Sequence, residues 1–446
     1  MATSTLYWIW LGGALGYGSH AIKPLLEAFG DAEGVFHASP EEIAGITAVC
    51  SVERQRLLDH DLGRAEEVAE YCLHGGIRIL NMSEPEYPAA LLSIQNPPVV
   101  LYCRGELPDW NRVPCIGMVG ARAMSHYGAD AACEIAYDLG RMGCITVSGM
   151  ALGIDGVAAA ATIEAGGKTV AVLGSGIDRL YPKEHRNLYQ SILKSGGTVI
   201  TEFPPYEGAD GFHFPLRNRI ISALSQALIV VEGESGSGAL ITARYAQKQG
   251  RCVFAVPGKI RDKNSEAPLL LLKQDAKVLT CADDVYDTFK EKYFSTMNPF
   301  ALLPKVSLNM EAIVRKYGVA AGREKQKPKR LLGSDPPKTT GGFLQKMKKL
   351  FGSDAEKEEE NTPLTEQASE KERENARRLL DEKRKNELSA EDYSVYRCLN
   401  YDLPYHPDEI TVEDMRVSDI SSILVALEVL GCVTITPGGG YLKNEF

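Results

Sequence analysis

The sequence predicts an α/β fold with a Rossmann-like, doubly wound and mostly parallel sheet, a small helical N-terminal domain and a C-terminal winged-helix-like domain. Three observations predict the sheet. Short β-branched runs alternate with helical stretches between about residues 76 and 290. The runs are apolar throughout, which is typical of parallel strands covered by helices on both faces. Six of the runs lead into loops of glycine, hydroxyl and basic residues.

The length of 446 residues exceeds one ordinary core and predicts two or three domains. We expect a helical domain over 1–75, a Rossmann-like domain over 76–290, a charged flexible linker over 291–387 and a winged-helix-like domain over 388–446. The linker is indicated by a change of composition, because a stretch rich in Lys, Arg, Gly and Pro gives way to an acidic one.

Two features define the N-terminal part. Ser39 to Glu42 form a capping box with Pro40 at the first helical position. Gly16 and Gly18 predict a tight turn between two helices. Such a turn can hold a DNA phosphate on backbone N–H groups or be only a turn, and the sequence leaves both open.

The central and C-terminal elements follow from the positions of the apolar runs. Seven strands are predicted, at 115–120, 145–149, 169–174, 198–203, 227–232, 252–258 and 277–280. Helical patterns such as 127–143 and 238–250 lie between them. Near the end of the chain, a helical pattern over 418–431 precedes a two-stranded wing over 432–444.

Composition excludes several classes. A net charge of −10 and a pI near 5.5 argue against a globally basic nucleic-acid coat, while leaving room for a local basic groove. The ten cysteines contain no CxxC pair, which disfavours zinc and disulfide frameworks. The apolar N-terminus has no Lys or Arg before Lys23 and is too short to span a bilayer. We therefore expect a soluble, cytoplasmic protein.

The chemistry should lie beyond the carboxyl ends of the strands, where open parallel sheets bind ligands. Six loops meet there, at 120–125, 148–155, 174–183, 202–205, 232–238 and 257–259. Together they predict a rim on which backbone N–H groups meet phosphate oxygens, with Ser237 capping the helix that follows it. Glycines that merely close short turns would explain part of this pattern. They would not explain four basic tips, Arg122, Arg217, Arg219 and Lys259.

The stretch FHFPLRNRIIS carries two of these arginines. If its helix begins near Pro215, Arg217 falls on the apolar stripe and Arg219 on the polar side. A core-facing arginine needs an anion, which would be a ligand phosphate or a carboxylate at a neighbouring strand end, Glu202 or Glu232. We predict that Arg217 points inward to the anion site and Arg219 outward along the rim.

Two rival chemistries find little support. The segment 149–156 (GMALGIDG) is not GxGxxG, and the loop 233–238 lacks the lysine of a Walker A motif. No Ser/His/Asp order or acid–base pair fits the rim, where His185 and His213 read as structural. Asp155 and Asp178 read as helix caps. We therefore expect no catalysis, no cofactor and no metal.

Four motifs carry a family resemblance. SGMALGID, AVLGSGIDRLYP, FPLRNRIIS and SGSGALITA, in this order and spacing, resemble the bacterial DNA-processing family DprA, also called Smf. The resemblance covers about residues 1–290 and the terminal module. It implies a homodimeric protein that binds single-stranded DNA and loads the RecA recombinase during natural transformation and recombination. It also implies an N-terminal module of the sterile-alpha-motif or helix-hairpin-helix kind.

The matching motifs imply a DNA pocket, and the rim adds Lys259 to it. The implied pocket residues are Arg122, Ser148, Gly149, Lys168, Gly174, Gly176, Arg217, Asn218 and Arg219. Phe212, Phe214 and Tyr181 are candidates for base stacking or, alternatively, for the buried core. The chain departs from the family pattern at Ala159, where a histidine is usual, and over 259–276. The alternative is a nucleotide-processing enzyme like the phosphoribohydrolases, whose PGGxGTxxE loop has no matching glutamate in GESGSGALIT.

Overall fold

The structure is a computed structural model that describes residues 3–293, 295–298 and 310–317 and, with gaps, residues 377–444. Its α-helices are α1 (Thr3–Leu15), α2 (Ile22–Phe29), α3 (Ala32–Phe36), α4 (Pro40–Ala44), α5 (Ser51–Leu57), α6 (Gly63–His74), α7 (Ala89–Leu92), α8 (His126–Arg141), α9 (Ile154–Glu164), α10 (Arg186–Lys194), α11 (His213–Leu224), α12 (Gly238–Lys248), α13 (Glu266–Leu272), α14 (Ala282–Phe289), α15 (Met310–Tyr317) and α16 (Ala390–Cys398). Its strands are β1 (Arg78–Asn81), β2 (Val100–Gly105), β3 (Cys115–Val119), β4 (Ile145–Ser148), β5 (Thr169–Val172), β6 (Thr198–Thr201), β7 (Ala227–Val230), β8 (Cys252–Ala255), β9 (Lys277–Val278), β10 (Val433–Ile435) and β11 (Tyr441–Lys443).

Nine strands form one sheet in the order β1-β2-β6-β5-β4-β3-β7-β8-β9. The pairs from β6 through β9 are parallel, and β2 joins β6 antiparallel. The mixed α/β fold with a large, mostly parallel sheet is thus confirmed. All seven predicted strands are present, most of them one or two residues shorter at the carboxyl end.

The sequence reasoning missed β1 and β2, which form the antiparallel edge of the sheet. The run Val99 to Cys103 is apolar and buried, so its composition carried a usable signal. Antiparallel edge strands lie outside the repeating strand–helix pattern that identifies a doubly wound sheet, so that pattern does not predict them.

The N-terminal helices follow from local sequence as predicted. Ser39 and Glu42 form the expected capping box, with Pro40 in the first turn of α4. Gly16 and Gly18 both have φ of +71°, a left-handed backbone that glycine adopts without strain, and they separate α1 from α2. Apolar residues of these helices share one buried cluster with a face of the sheet. The division at residue 75 stays a prediction.

The compact part of the chain extends beyond residue 290. Tyr293 and Met297 are buried, and α15 packs on α8 and α9 through the buried Ile313. Apolar side chains at the start of the predicted linker thus contribute to the core, and the linker boundary at 291 stays a prediction. Most of the remaining linker and most of the predicted helix 418–431 lie outside the described residues.

The C-terminal module has its own buried cluster, which includes Tyr396, Leu424 and Val433. β10 and β11 pair antiparallel where the wing was predicted. The winged-helix assignment itself stays a prediction. No helix in the described part of the chain is long and apolar enough to cross a membrane.

Candidate functional site

The topology places the rim at a point where the strand order reverses. The chain builds β3 to β6 in one direction across the sheet and then returns to place β7 beside β3. In open α/β sheets the crevice at such a switch point, beyond the carboxyl ends of the strands, is the usual ligand site. Here it is bordered by the loop after β3, which carries Arg122, and by the loop after β7.

Arg217 is a buried cation at this edge, with a relative exposure of 4%. Its Nη1 donates to the carbonyl oxygens of Gly149, at 2.9 Å, and Val172, at the ends of β4 and β5. Its Nε donates to the side-chain oxygen of Asn218 at 3.2 Å. These acceptors are uncharged, so the guanidinium is fixed in position without being neutralised by them.

Gly149 permits this arrangement. A Cβ added at this position would lie 2.4 Å from Nη2 of Arg217, closer than real Cβ atoms come to any neighbour. The backbone N–H of Gly149 donates to the carboxylate of Asp155 at 2.9 Å. Asp155 was predicted to cap its helix, and it instead ties the loop after β4 to the first turn of α9.

The electrostatics of Arg217 follow from its burial. Loss of solvent lowers its pKa to about 10, with Asp155 acting to raise it and Arg122 to lower it further. Arg217 is therefore still a cation at neutral pH. Burial raises the pKa of Asp155, while the neighbouring Arg217 and the backbone N–H of Gly149 act to lower it. A phosphate reaching this edge would improve the environment of Arg217.

Arg219 was predicted to point outward, and that prediction was wrong. Its relative exposure is 0%, and its Nη2 lies 2.6 Å from Oε2 of Glu202. The helical phase misled because α11 has no polar face, being buried from Leu216 to Leu224. The ion pair considered for Arg217 exists, but Arg219 makes it.

Arg122 is exposed and lies over the ring of Phe214, with its Cζ 5.4 Å from the ring centroid. Phe214 in turn lies against Gly174, where an added Cβ would be 2.8 Å from the ring. Tyr181 stands beside Phe214 at 5.4 Å between centroids. Arg122, Phe214 and Tyr181 thus form a half-exposed surface next to the buried Arg217.

Three other predicted residues hold the rim in shape. Ser148 is buried and accepts from the N–H of Met150 at 3.3 Å, which turns the loop after β4. Asn218 donates to the carbonyl of Gly238 at 3.4 Å and braces Arg217 against the start of α12. At Gly176 an added Cβ would lie 2.5 Å from the Pro204 carbonyl oxygen, so only glycine allows this approach.

Lys168 does not belong to the rim. It directly precedes β5, and the rim begins where β5 ends, so the lysine lies at the opposite edge of the sheet. There its Nζ pairs with Glu106 at 2.9 Å. The family motif places a lysine near the strand, but the direction of a parallel strand decides which edge it reaches. Lys259 does lie at the rim, exposed beyond the end of β8.

The helix N-termini at the rim differ in whether side chains of the protein already occupy their N–H groups. The N-terminus of α8 is already taken: Glu232 accepts from the backbone N–H of Ser125 at 2.8 Å and from its hydroxyl. A Cβ at Gly128 would be 2.3 Å from the Glu232 carboxylate, so the fit is tight. Ser237 is the N-cap of α12 as predicted, but its side chain makes no cap hydrogen bond.

Exposed aromatic side chains gather at the rim, which sequence reasoning saw only in part. In the described chain they are Tyr127, Tyr181 and Tyr206, with exposures of 52%, 46% and 57%. Tyr127 lies in the first turn of α8, and Tyr181 and Tyr206 lie in the loops that follow β5 and β6. Phe212 and Phe214, which were also predicted to stack, are half-buried. Tyr127 and Tyr206 are far apart in the sequence, and only the direction of the parallel strands shows that they lie at the same edge of the sheet.

Fold and rim together define a doubly wound α/β protein whose sheet edge presents the buried Arg217 and exposed cations beside exposed aromatic rings. Residues 78–290 match the family described as DNA recombination-mediator protein A. The DNA processing protein DprA of Bacillus subtilis (strain 168) is 39% identical over 225 residues, covering 50% of this chain and 75% of that relative. This chain belongs to that family, the DprA/Smf family.

Further similarities agree. DprA of Streptococcus pneumoniae (strain ATCC BAA-255 / R6) is 40% identical over 204 residues, covering 46% of this chain and 71% of the relative. The X-ray structure of DprA from Streptococcus pneumoniae matches with a TM-score of 0.55 and 33% identity, over 64% of this chain and 97% of that one. The recognition made from four sequence motifs is confirmed.

Proposed function

We propose that this chain binds single-stranded DNA at the rim without chemistry and helps to load the RecA recombinase during DNA uptake, natural transformation and recombination. The observation that carries the proposal is Arg217, a buried cation at the switch-point edge whose hydrogen bonds go to uncharged oxygens. The family description, a DNA recombination mediator, supports the same reading.

A single strand suits this surface better than a duplex. Bases in a single strand are free to stack on aromatic rings, and their phosphates follow a cationic groove. The three exposed tyrosines lie along the edge that holds Arg122 and Arg217. In a duplex the bases are stacked on one another, so their faces would not be available to stack on the tyrosine rings. The overall charge of −10 makes the groove, rather than the whole surface, responsible for binding.

The alternative, a nucleotide-processing enzyme, loses support from the carboxylates of the rim. Glu232 is tied to Ser125 at the N-terminus of α8, the position where a Rossmann protein holds a pyrophosphate. Asp155 is held by the N–H of Gly149. Asp178 accepts from the N–H of Tyr206 at 2.9 Å and from the hydroxyl of Tyr71. These acids shape loops and are not left free to act as general acid or base.

RecA and a second copy of the chain are the partners we propose, on the strength of the family membership. The exposed edge strand β9 is compatible with self-association, because an edge strand has unpaired backbone groups. The terminal module is proposed to be winged-helix-like, and the basic half of the linker to add a weak, salt-sensitive DNA contact.

Binding is tested by fluorescence anisotropy with labelled oligo-dT and a duplex of the same length over a salt series. We expect tighter binding of oligo-dT and a log K that falls with log salt by about 0.7 per phosphate contacted. Arg217→Ala should lose at least about tenfold in affinity, in keeping with a charge-assisted contact. Equal affinity for duplex, or an unaffected Arg217→Ala protein that is folded, would overturn the proposal.

RecA loading is tested separately. Purified RecA is added to oligonucleotides already covered by a single-strand-binding protein, and its ATP hydrolysis is followed with and without this chain. We expect the chain to shorten the lag before hydrolysis and Arg217→Ala to lose that effect. An unchanged lag, with oligo-dT binding intact, would leave DNA binding standing and reject the loading role.

A further inference from the structure

The loop after β8 carries an exposed apolar tip. Ile260 has a relative exposure of 86%, the highest among the large apolar side chains in the described part of the chain. Its neighbours Lys259 and Arg261 are exposed as well, and Lys263 follows. A single exposed apolar side chain needs no explanation by itself, so the case depends on how this one is held and on what surrounds it.

The tip is held firmly. Residues 259–262 form a turn in which the N–H of Asp262 donates to the carbonyl of Lys259 at 3.0 Å. The Asp262 carboxylate accepts from the N–H of Asn264 at 3.1 Å, so the acid within this basic tip is engaged inside the loop. The turn therefore fixes Ile260 at its apex with a cation on each side.

The base of the loop is anchored to three other elements. Asn264 donates from its side chain to the carbonyl of Ala123, at 3.0 Å, in the loop that carries Arg122. Its own carbonyl accepts from the N–H of Gly233, after β7, at 2.6 Å. The hydroxyl of Tyr127 donates to the carbonyl of Pro257 at 2.7 Å. The apex is thus held at a set position on the rim.

A rigid apolar apex flanked by cations and fixed beside a phosphate-binding edge matches the surface of a nucleic acid strand, in which flat apolar bases alternate with phosphates. Proteins that bend DNA use aliphatic wedges between bases in this way, with basic residues on the adjoining backbone. Tyr127, exposed and bonded to the same loop, provides an aromatic surface at its base.

We propose that Ile260 packs against a nucleobase of the bound single strand at the β8 end of the rim, while Lys259 and Arg261 hold phosphates on either side. The proposal rests on the proposed function. The contact is with the face of the base, so it is independent of sequence. It assigns a role to the segment in which this chain departs from the family pattern.

The test compares two single-stranded ligands of equal length, oligo-dT and an abasic deoxyribose-phosphate oligomer. With the full-length chain, Ile260→Ala should weaken oligo-dT binding by about three- to tenfold, the range expected for losing one base contact. It should leave abasic binding and the salt slope unchanged. Lys259→Ala should weaken both ligands and lower the salt slope by about 0.7. Val52→Ala removes a comparable exposed side chain on α5 and is the control.

The outcomes separate the two proposals. If the wild-type chain fails to bind oligo-dT, both the proposed function and the proposed contact of Ile260 with a nucleobase are rejected. If the wild-type chain binds, and Ile260→Ala has the same affinity as Val52→Ala for both ligands, the proposed contact of Ile260 is overturned while the proposed function stands. Unchanged DNA binding with an altered sedimentation mass, or with lost binding to anionic vesicles, would instead assign the tip to self-association or to a lipid surface.

Discussion

Arg217 and Arg219 lie two residues apart on α11 and have different partners. Arg219 is paired with the carboxylate of Glu202 in the interior, whereas Arg217 is held by carbonyl oxygens at the edge of the sheet. A buried cation paired with a carboxylate serves the fold, because removing either partner leaves an isolated buried charge. A cation held by neutral oxygens keeps most of its charge for an incoming anion. The two arginines therefore differ in role.

The stability of the Arg219 variant tests this division. Arg219→Ala leaves Glu202 buried and unpaired, so the free energy of unfolding in urea should fall by about 3–5 kcal/mol. Replacing both partners, with Arg219→Met and Glu202→Leu, should recover much of that loss because no buried charge remains. A single variant as stable as wild type would show that the pair does not hold the fold.

The loop after β4 depends on a glycine for its close approach to α11. Gly149→Ala would press a methyl group against the Arg217 guanidinium, since the added Cβ lies 2.4 Å from Nη2. We expect a loss of stability of about 1–3 kcal/mol from overpacking, and weaker oligo-dT binding because Arg217 is displaced.

A matched glycine in α1 provides the control. At Gly13 an added Cβ meets nothing within 4 Å, and the residue is helical, so Gly13→Ala should gain about 0.5–1 kcal/mol. Urea unfolding and anisotropy measure both variants. Equal behaviour of the two alanine variants would mean that the contact of Gly149 with Arg217 is not tight.

Strand positions and the order of motifs were predictable because apolar runs and turn residues are local signals. The direction in which a side chain points, and therefore its contact partner, could not be predicted in this way. The helical phase of α11 predicted an exposed Arg219, but neighbours cover the helix on all sides, so its own pattern could not show which face met solvent. The prediction that Lys168 lies at the rim was wrong for a related reason, because only the direction of β5 shows that this residue lies at the opposite edge of the sheet.

The packed sheet should protect the thiols of the cysteines that it buries. Burial raises the pKa of Cys115 and of Cys144 to about 12. The reactive thiolate forms only as the pH approaches that value, so at pH 8 both groups remain thiols and are shielded as well. Cys281 is exposed.

Maleimide labelling followed by mass spectrometry checks this. At pH 8 we expect Cys281 to react within minutes and Cys115 and Cys144 to react only after urea unfolds the chain. Labelling of all three at similar rates in native buffer would contradict a packed strand β3.

We propose that the carboxyl edge of the sheet, and not the opposite edge, binds single-stranded DNA. Arg122 and Lys168 are both exposed cations, one at each edge, so removing either takes away one positive charge. The most direct test measures oligo-dT affinity of Arg122→Ala and Lys168→Ala across a salt series. We predict that Arg122→Ala weakens binding and lowers the salt slope by about 0.7, while Lys168→Ala matches wild type. A loss confined to Lys168→Ala, or equal losses in both, would contradict it.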